Sequence, residues 1–373
     1  MPLLLQPLEL RGLRLRNRCV ISPMCQYSAS DGFANDWHVV HLGKFAQGGA
    51  AVVFAEAAAV EKIGRITHGD LGIWSDEHLP GLRRIAGFLK ANGAAPAIQL
   101  AHAGRKASMQ RPWFGNGPLD AADRARGDEP WQIVAPSPIG LDEGWLVPHQ
   151  LSLADIDAMK AAWKSAAGRA LAAGFEIVEM HSAHGYLAHE FLSPLTNKRT
   201  DAYGGSFENR TRFTLEIAET IRSVWPEDKP VFVRLSCVDG IEGGWTIEDT
   251  VALAVHLKAR GADVIDCSSG GLMGSATAAR VKRGRGFQVP FAERVRKDAG
   301  VKTMAVGLIL DGAQAERILR AGQADLVAIG REALYDPNWL LHAAAALGAE
   351  GGFESWPVQY GWWLDKRRQS MSR

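Results

Sequence analysis

Residues 175–213 read FEIVEMHSAHGYLAHEFLSPLTNKRTDAYGGSFENRTRF and bring two imidazoles and a phenol close together: His181, His184 and Tyr186. They follow FEIVEM, an apolar-rich run of strand length that starts after the turn glycine Gly174. Parallel α/β proteins bind ligands past the carboxyl ends of their strands, so these side chains stand where chemistry is done. Two readings are open. The histidines, with Glu179 and Glu190 nearby, could contribute to a metal site, although a histidine pair alone does not fill a coordination sphere. Alternatively, both rings grip a carbonyl or phenolate oxygen and stabilise negative charge developing on it. The Tyr186 phenol then delivers a proton.

Arg234 lies inside the apolar run PVFVRLS, and a buried charge needs a partner. That partner is either a structural carboxylate or a ligand with delocalised negative charge, such as the N1 and O2 edge of a reduced flavin. Gln99, in PAIQLAH, donates and accepts at once, which suits the uracil-like edge of a flavin. Gly307 and Gly330 permit close backbone approach, and Arg331 adds a planar charged fork. Singly these are turn glycines and a solvated arginine. At the ends of a seventh and an eighth strand together, they favour a phosphate site.

The elements that must position these residues are short apolar runs, most preceded by a helical pattern. They fall at 19–23, 51–57, 96–102, 175–181, 230–236, 262–269, 302–307 and 324–331. Such runs are what parallel strands covered on both faces look like. Eight of them predict an α/β fold, a single (β/α)8 TIM barrel. An open doubly wound sheet is the alternative, weakened because no G-x-G-x-x-G follows an early strand. The barrel gathers Ser22, Cys25, Glu56, Gln99, His102, His181, His184, Ser268 and Ser269 on one face. Residues 108–151, rich in proline, predict a structureless insertion after strand three that caps the barrel or runs over its surface.

Composition narrows the class. The 373 residues are 47% hydrophobic and 22% charged, with a net charge of +1, so nothing calls for nucleic acid or an acidic membrane. No apolar run reaches the roughly 20 residues of a membrane span. The first residues lack a basic segment ahead of their short leucine cluster, which argues against a signal peptide. The cysteines Cys19, Cys25, Cys237 and Cys267 form no C-x-x-C pair; no metal is expected, and free thiols fit a reducing cytoplasm.

The stretch HSAHGYL, with FLSP and RTDAYGGSFENRTRF behind it, resembles the Old Yellow Enzyme family of flavin-dependent ene-reductases. SPMCQYS, THGDLGIWSDEH, IQLAHAGRKAS, QVPFAERVR and DLVAIGREALYDPNW support the resemblance over nearly the whole chain. Cys25 with the His181/His184 pair is similar to the subgroup of xenobiotic reductases and thermophilic-like ene-reductases.

The resemblance implies one FMN-binding domain over 1–373 with the insertion as a cap and an aromatic tail at 353–373. Ser22, Pro23, Met24 and Cys25 would line the non-covalent FMN, with the thiol tuning its potential, and Ala57 would lie against it. Gln99 and Arg234 would bind its pyrimidine side, and Gly307, Gly330 and Arg331 its phosphate. NADPH or NADH would reduce the flavin. An α,β-unsaturated carbonyl, or a nitro or other xenobiotic acceptor, would then take hydride at Cβ. His181 and His184 would bind the substrate oxygen, Tyr27 would contact substrate, and Tyr186 would protonate Cα. In some relatives a C-terminal arginine crosses a dimer interface; here Trp362 and Trp363 stand in that region, as a substrate lid or as plain packing. A cytoplasmic homodimer or homotetramer acting on small molecules is expected.

Overall fold

The computed structural model describes residues 1–273, 281–349 and 352–371. Eight parallel strands close into a barrel: β1 (Cys19–Ile21), β2 (Val52–Ala59), β3 (Ala95–Ala101), β4 (Ile177–Ser182), β5 (Val231–Ser236), β6 (Val264–Ser268), β7 (Lys302–Val306) and β8 (Leu326–Ile329). Each pairs with the next in sequence, and β8 closes on β1. All eight predicted runs are strands of this barrel, so the open-sheet alternative falls. The last strand stops at Ile329 rather than running through Arg331, because Gly330 breaks it and Arg331 opens a short helix.

The outer layer is α1 (Asp36–Gln47), α2 (Leu79–Ala91), α3 (Leu153–Ala172), α4 (Phe207–Arg222), α5 (Ile247–Ala259), α6 (Val289–Ala299), α7 (Gly312–Arg320) and α8 (Trp339–Ala346). Local chemistry sets their starts. Ser152 and Thr246 open α3 and α5 in capping boxes with Asp155 and Asp249. Pro80 and Pro290 lie in the first turns of α2 and α6, where a missing N–H has no helical partner to lose.

Inward-facing residues alternate along each strand. On β4 they are Ile177, Glu179 and His181; on β5, Phe232, Arg234 and Ser236; on β6, Val264, Asp266 and Ser268. The lowest of these pack into an apolar plug with Phe54, Ala97, Met304 and Leu326. Leu10 and Leu15 of an N-terminal hairpin complete the plug. Above it stand the charged side chains Glu179, Arg234 and Asp266, and toward the top His181, Ser236 and Ser268.

The insertion after β3 is not structureless. It holds a short helix at Ala121–Ala125, opened by Asp120, and a two-residue ladder between Val134–Ala135 and His149–Gln150. Its Met109 and Ile133 are buried with Tyr186 and Ile66, while Trp131 and Trp145 pack against the same cluster. The tail carries a helix at Val358–Met371; residues 372 and 373 of the expected tail lie outside the described residues.

Candidate active site

A cleft with roughly 810 Å³ of empty space opens at the carboxyl ends of the strands. Ser22, Pro23, Met24, His184, Arg234, Gly307, Gly330 and Arg331 all line it, so these predicted site residues meet. Ser268, Ser269, Phe287 and Gln288 join them. Next to the cleft residues lies a narrow space of roughly 200 Å³ lined by Ala57, Ile66, Asp70 and Tyr186. Cys25 and Tyr27 pack against the Tyr186 cluster, with the Trp113 ring edge-on to Tyr27 at 6.1 Å. Trp363 is exposed, lies edge-on to Trp362, and lines neither space of its own chain.

The histidine pair is set by backbone strain. His184 has φ 59° and Gly185 φ 71°, a left-handed turn that an ordinary side chain such as His184 adopts only when held. Three contacts hold it. The His184 N–H donates to Ser236 Oγ at 2.9 Å. Its carbonyl accepts from Lys106 Nζ at 2.9 Å, and the same ammonium bonds the Gly271 carbonyl at 2.9 Å. The Gly185 N–H donates to His189 Nδ1 at 2.8 Å. His189 is in turn 2.9 Å from Asp239, both fully buried. Space is equally tight: a Cβ on Gly185 would stand 2.5 Å from the Gly271 carbonyl oxygen.

The protons on the two rings follow from these contacts. His181 Nδ1 accepts from the Ala183 N–H at 3.3 Å, which places the ring proton on Nε2. That Nε2 lies 3.4 Å from His184 Nδ1, and His184 Nε2 lies 2.6 Å from Ser268 Oγ. Ser268 Oγ donates onward to Gln288 Oε1 at 3.4 Å, so it accepts from His184. Burial holds both imidazoles well below the ordinary histidine range, and the Arg234 charge adds to it. Both rings are therefore neutral N–H donors at neutral pH. The Tyr186 ring stands edge-on to His181 at 5.0 Å, its phenol pushed up by burial and then by Cys25. Burial likewise raises the Cys25 thiol, and Asp70 and Glu56 add to the shift, so it is a thiol and not a thiolate.

Glu179 and Glu190 do not join the histidines. Glu179 Oε1 accepts from Gln99 at 2.8 Å, and Glu190 accepts the Arg105 N–H at 2.9 Å. Among the described residues no three His, Cys, Asp or Glu side chains converge as metal ligands. Lys106, His189, Asp239 and Gln288 had no role in the sequence reading. Lys106 and Gln288 lie within IQLAHAGRKAS and QVPFAERVR; Gln288 stands between Phe287 and Val289, a local sign that Lys106, next to Arg105, lacks.

Residues 3–350 match the model of the NADH:flavin oxidoreductase / NADH oxidase family. The chain belongs to this family. It is 45% identical over 348 residues to an NADPH dehydrogenase of Geobacillus sp. (strain WCH70), covering 93% of this chain and 95% of that one. Among solved structures it superposes on a complex of 2-naphthoyl-CoA reductase with TM-score 0.81 and 25% identity; 93% of this chain matches 52% of that one, so it spans about half of that protein. It superposes on morphinone reductase in complex with tetrahydroNAD with TM-score 0.72 and 27% identity, over 94% and 92% of the two chains. The Old Yellow Enzyme resemblance is thereby confirmed: the protein is an NAD(P)H-dependent flavin oxidoreductase that binds FMN. The cleft fits such a cofactor. Gly330 leaves a bay where a Cβ would touch Met24 and Ser22 at 3.8 and 4.0 Å, and Gly307 has φ 115°. Arg234 turns Nη1 toward Ser22 Oγ at 3.2 Å on the cleft wall.

Proposed function

We propose that this enzyme is an ene-reductase acting on α,β-unsaturated carbonyl compounds, with nitro and other xenobiotic acceptors as further substrates. When bound, FMN would supply the hydride chemistry that links NAD(P)H, through flavin N5, to Cβ of the activated olefin. Ser22, Pro23, Met24, Cys25 and Ala57 would line the ring system. Gln99 and Arg234 would take its pyrimidine side, and Gly307, Gly330 and Arg331 its phosphate.

The neutral His181/His184 pair carries the reading. Two N–H donors at one strand end stabilise enolate charge as it forms, and a neutral pair holds the oxygen without competing to protonate it. Tyr186, its phenol protonated, gives the proton to Cα. Tyr27 and the insertion 108–151 close over the substrate. Trp363 would contribute only if the Val358–Met371 helix reached a site, in its own chain or in the partner of a dimer or tetramer.

The test is an anaerobic absorbance spectrum of the purified protein before and after NADPH, then after 2-cyclohexenone. Yellow bands that bleach with NADPH and return with the enone are expected. Bands that bleach and stay bleached would remove enones as substrates.

A further inference from the structure

Beneath the cleft floor three inward-facing ionisable side chains act on one another: Arg234 on β5, its register partner Asp266 on β6, and Glu179 on β4, one inward position below the His181 that pairs with Arg234. Asp266 and Glu179 are fully buried, and Arg234 is 7% exposed. Asp266 and Arg234 are register partners on adjacent strands, with Arg234 Nε 3.1 Å from Asp266 Oδ2. Neither Asp266 oxygen accepts an aligned hydrogen bond, so it acts on Arg234 as a charge and not as a clamp. Glu179 is tied on one oxygen to Gln99, while its other oxygen has no partner.

One cation cannot keep two buried carboxylates ionised. Glu179 holds the proton: burial pushes it well up, and the Asp266 charge pushes further. Burial raises the Asp266 carboxyl as well, but the Arg234 guanidinium 3.1 Å away opposes that rise, so of the two carboxyls Asp266 is the one placed to carry the charge.

We propose that Asp266 is the residue that sets the reduction potential of the flavin, by offsetting the Arg234 charge that would otherwise stabilise the reduced, anionic ring. Glu179 is the neutral member of the three and serves to orient Gln99. The inference rests on the flavin reading above. In water-poor surroundings a charge this near the floor of the cleft acts with little screening. Removing it leaves Arg234 uncompensated and favours the reduced cofactor.

The experiment is redox titration of the wild-type holoenzyme, Asp266→Asn and Glu179→Gln, with FMN affinity measured in both redox states. Asp266→Asn is expected to move the midpoint to a more positive value and to tighten reduced FMN at least tenfold more than oxidised FMN. Glu179→Gln is expected to leave the midpoint in place. An unchanged midpoint in Asp266→Asn, or equal weakening of both redox states, would make Asp266 a structural residue and overturn the proposal.

If Asp266→Asn does not fold, the infrared spectrum of the wild-type holoenzyme decides. A protonated-carboxyl band that disappears in Glu179→Gln supports the charge assignment, and the absence of such a band in the wild type overturns it. Failure of the wild type to bind FMN would instead sink the flavin reading on which the inference stands.

Discussion

His181 Nε2 and His184 Nδ1 lie 3.4 Å apart, and His184 Nε2 is 2.6 Å from Ser268 Oγ. With both rings neutral, the N–H bonds run in one direction: Ala183 to His181, His181 to His184, His184 to Ser268. The middle link is long, so an incoming oxygen that accepts from His181 Nε2–H gives up little to displace it, while at His184 Nε2–H it competes with Ser268 Oγ.

Replacing His184 by alanine should lower the rate of flavin reoxidation by 2-cyclohexenone about 10²- to 10³-fold, the usual effect of losing one oxyanion donor. The bound flavin should keep its yellow spectrum. Titration with a phenol, whose phenolate stacks on oxidised flavin with a long-wavelength band, should show that band weakened. Reoxidation at the wild-type rate would remove His184 from the substrate's oxygen.

Tyr186→Phe separates the two half-reactions. Stopped-flow bleaching by NADPH should be close to wild type, because no proton is donated there. Reoxidation by the enone should slow by about 10²-fold or more, the range for a positioned acid. Equal slowing of both halves would place Tyr186 in packing and not in proton delivery.

Lys106 is 1% exposed, and burial, with Arg105 nearby, lowers its ammonium to about 7. Its two bonds to the His184 and Gly271 carbonyls tie the loops after β4 and β6 together. Lys106→Met keeps the buried stem and removes both donors. It should destabilise the fold by about 1–3 kcal/mol, read by urea unfolding, and raise the phenol dissociation constant as the left-handed turn relaxes. Unchanged stability and phenol binding would show that the turn holds without it.

Stability should fall on acidification through the histidines. In the folded chain His181 and His184 titrate well below the ordinary value of 6.5, so the unfolded chain binds more protons as pH drops past 6.5. The stabilisation is full above that pH and is lost progressively below it. The urea midpoint, followed from pH 7.5 to 5, should decline less steeply in a His181→Asn, His184→Asn double variant than in the wild type. Parallel curves would mean that the two rings are not held neutral by the fold.

Much of this was legible in the chain. The eight strands could be found because each is a short apolar run, and the period-two spacing of Ile177, Glu179 and His181 already assigns them to one face. The glycines and Arg331 at the ends of β7 and β8 could be placed because a closed barrel brings all carboxyl ends to one side. The insertion reads as structureless in the sequence because its helix at Ala121–Ala125 and its two-residue ladder are too short to leave a periodic pattern.

The sequence by itself determined the barrel and the meeting of a histidine pair with Gly307, Gly330 and Arg331 at one end of it. Only the tertiary structure decided how those histidines are held and which protons they carry. Lys106 reaches the carbonyl of Gly271, 165 positions away, and His189 meets Asp239 from the loop after the next strand. Neither pairing leaves a local trace, because hydrogen bonds between loops depend on where the closed barrel puts the loops. The charge beneath the cleft is of the same kind. Arg234 and Asp266 look like separate polar residues in two apolar runs until strand register pairs them, and closure of the barrel brings Glu179 within range of both charges, where burial raises its carboxyl.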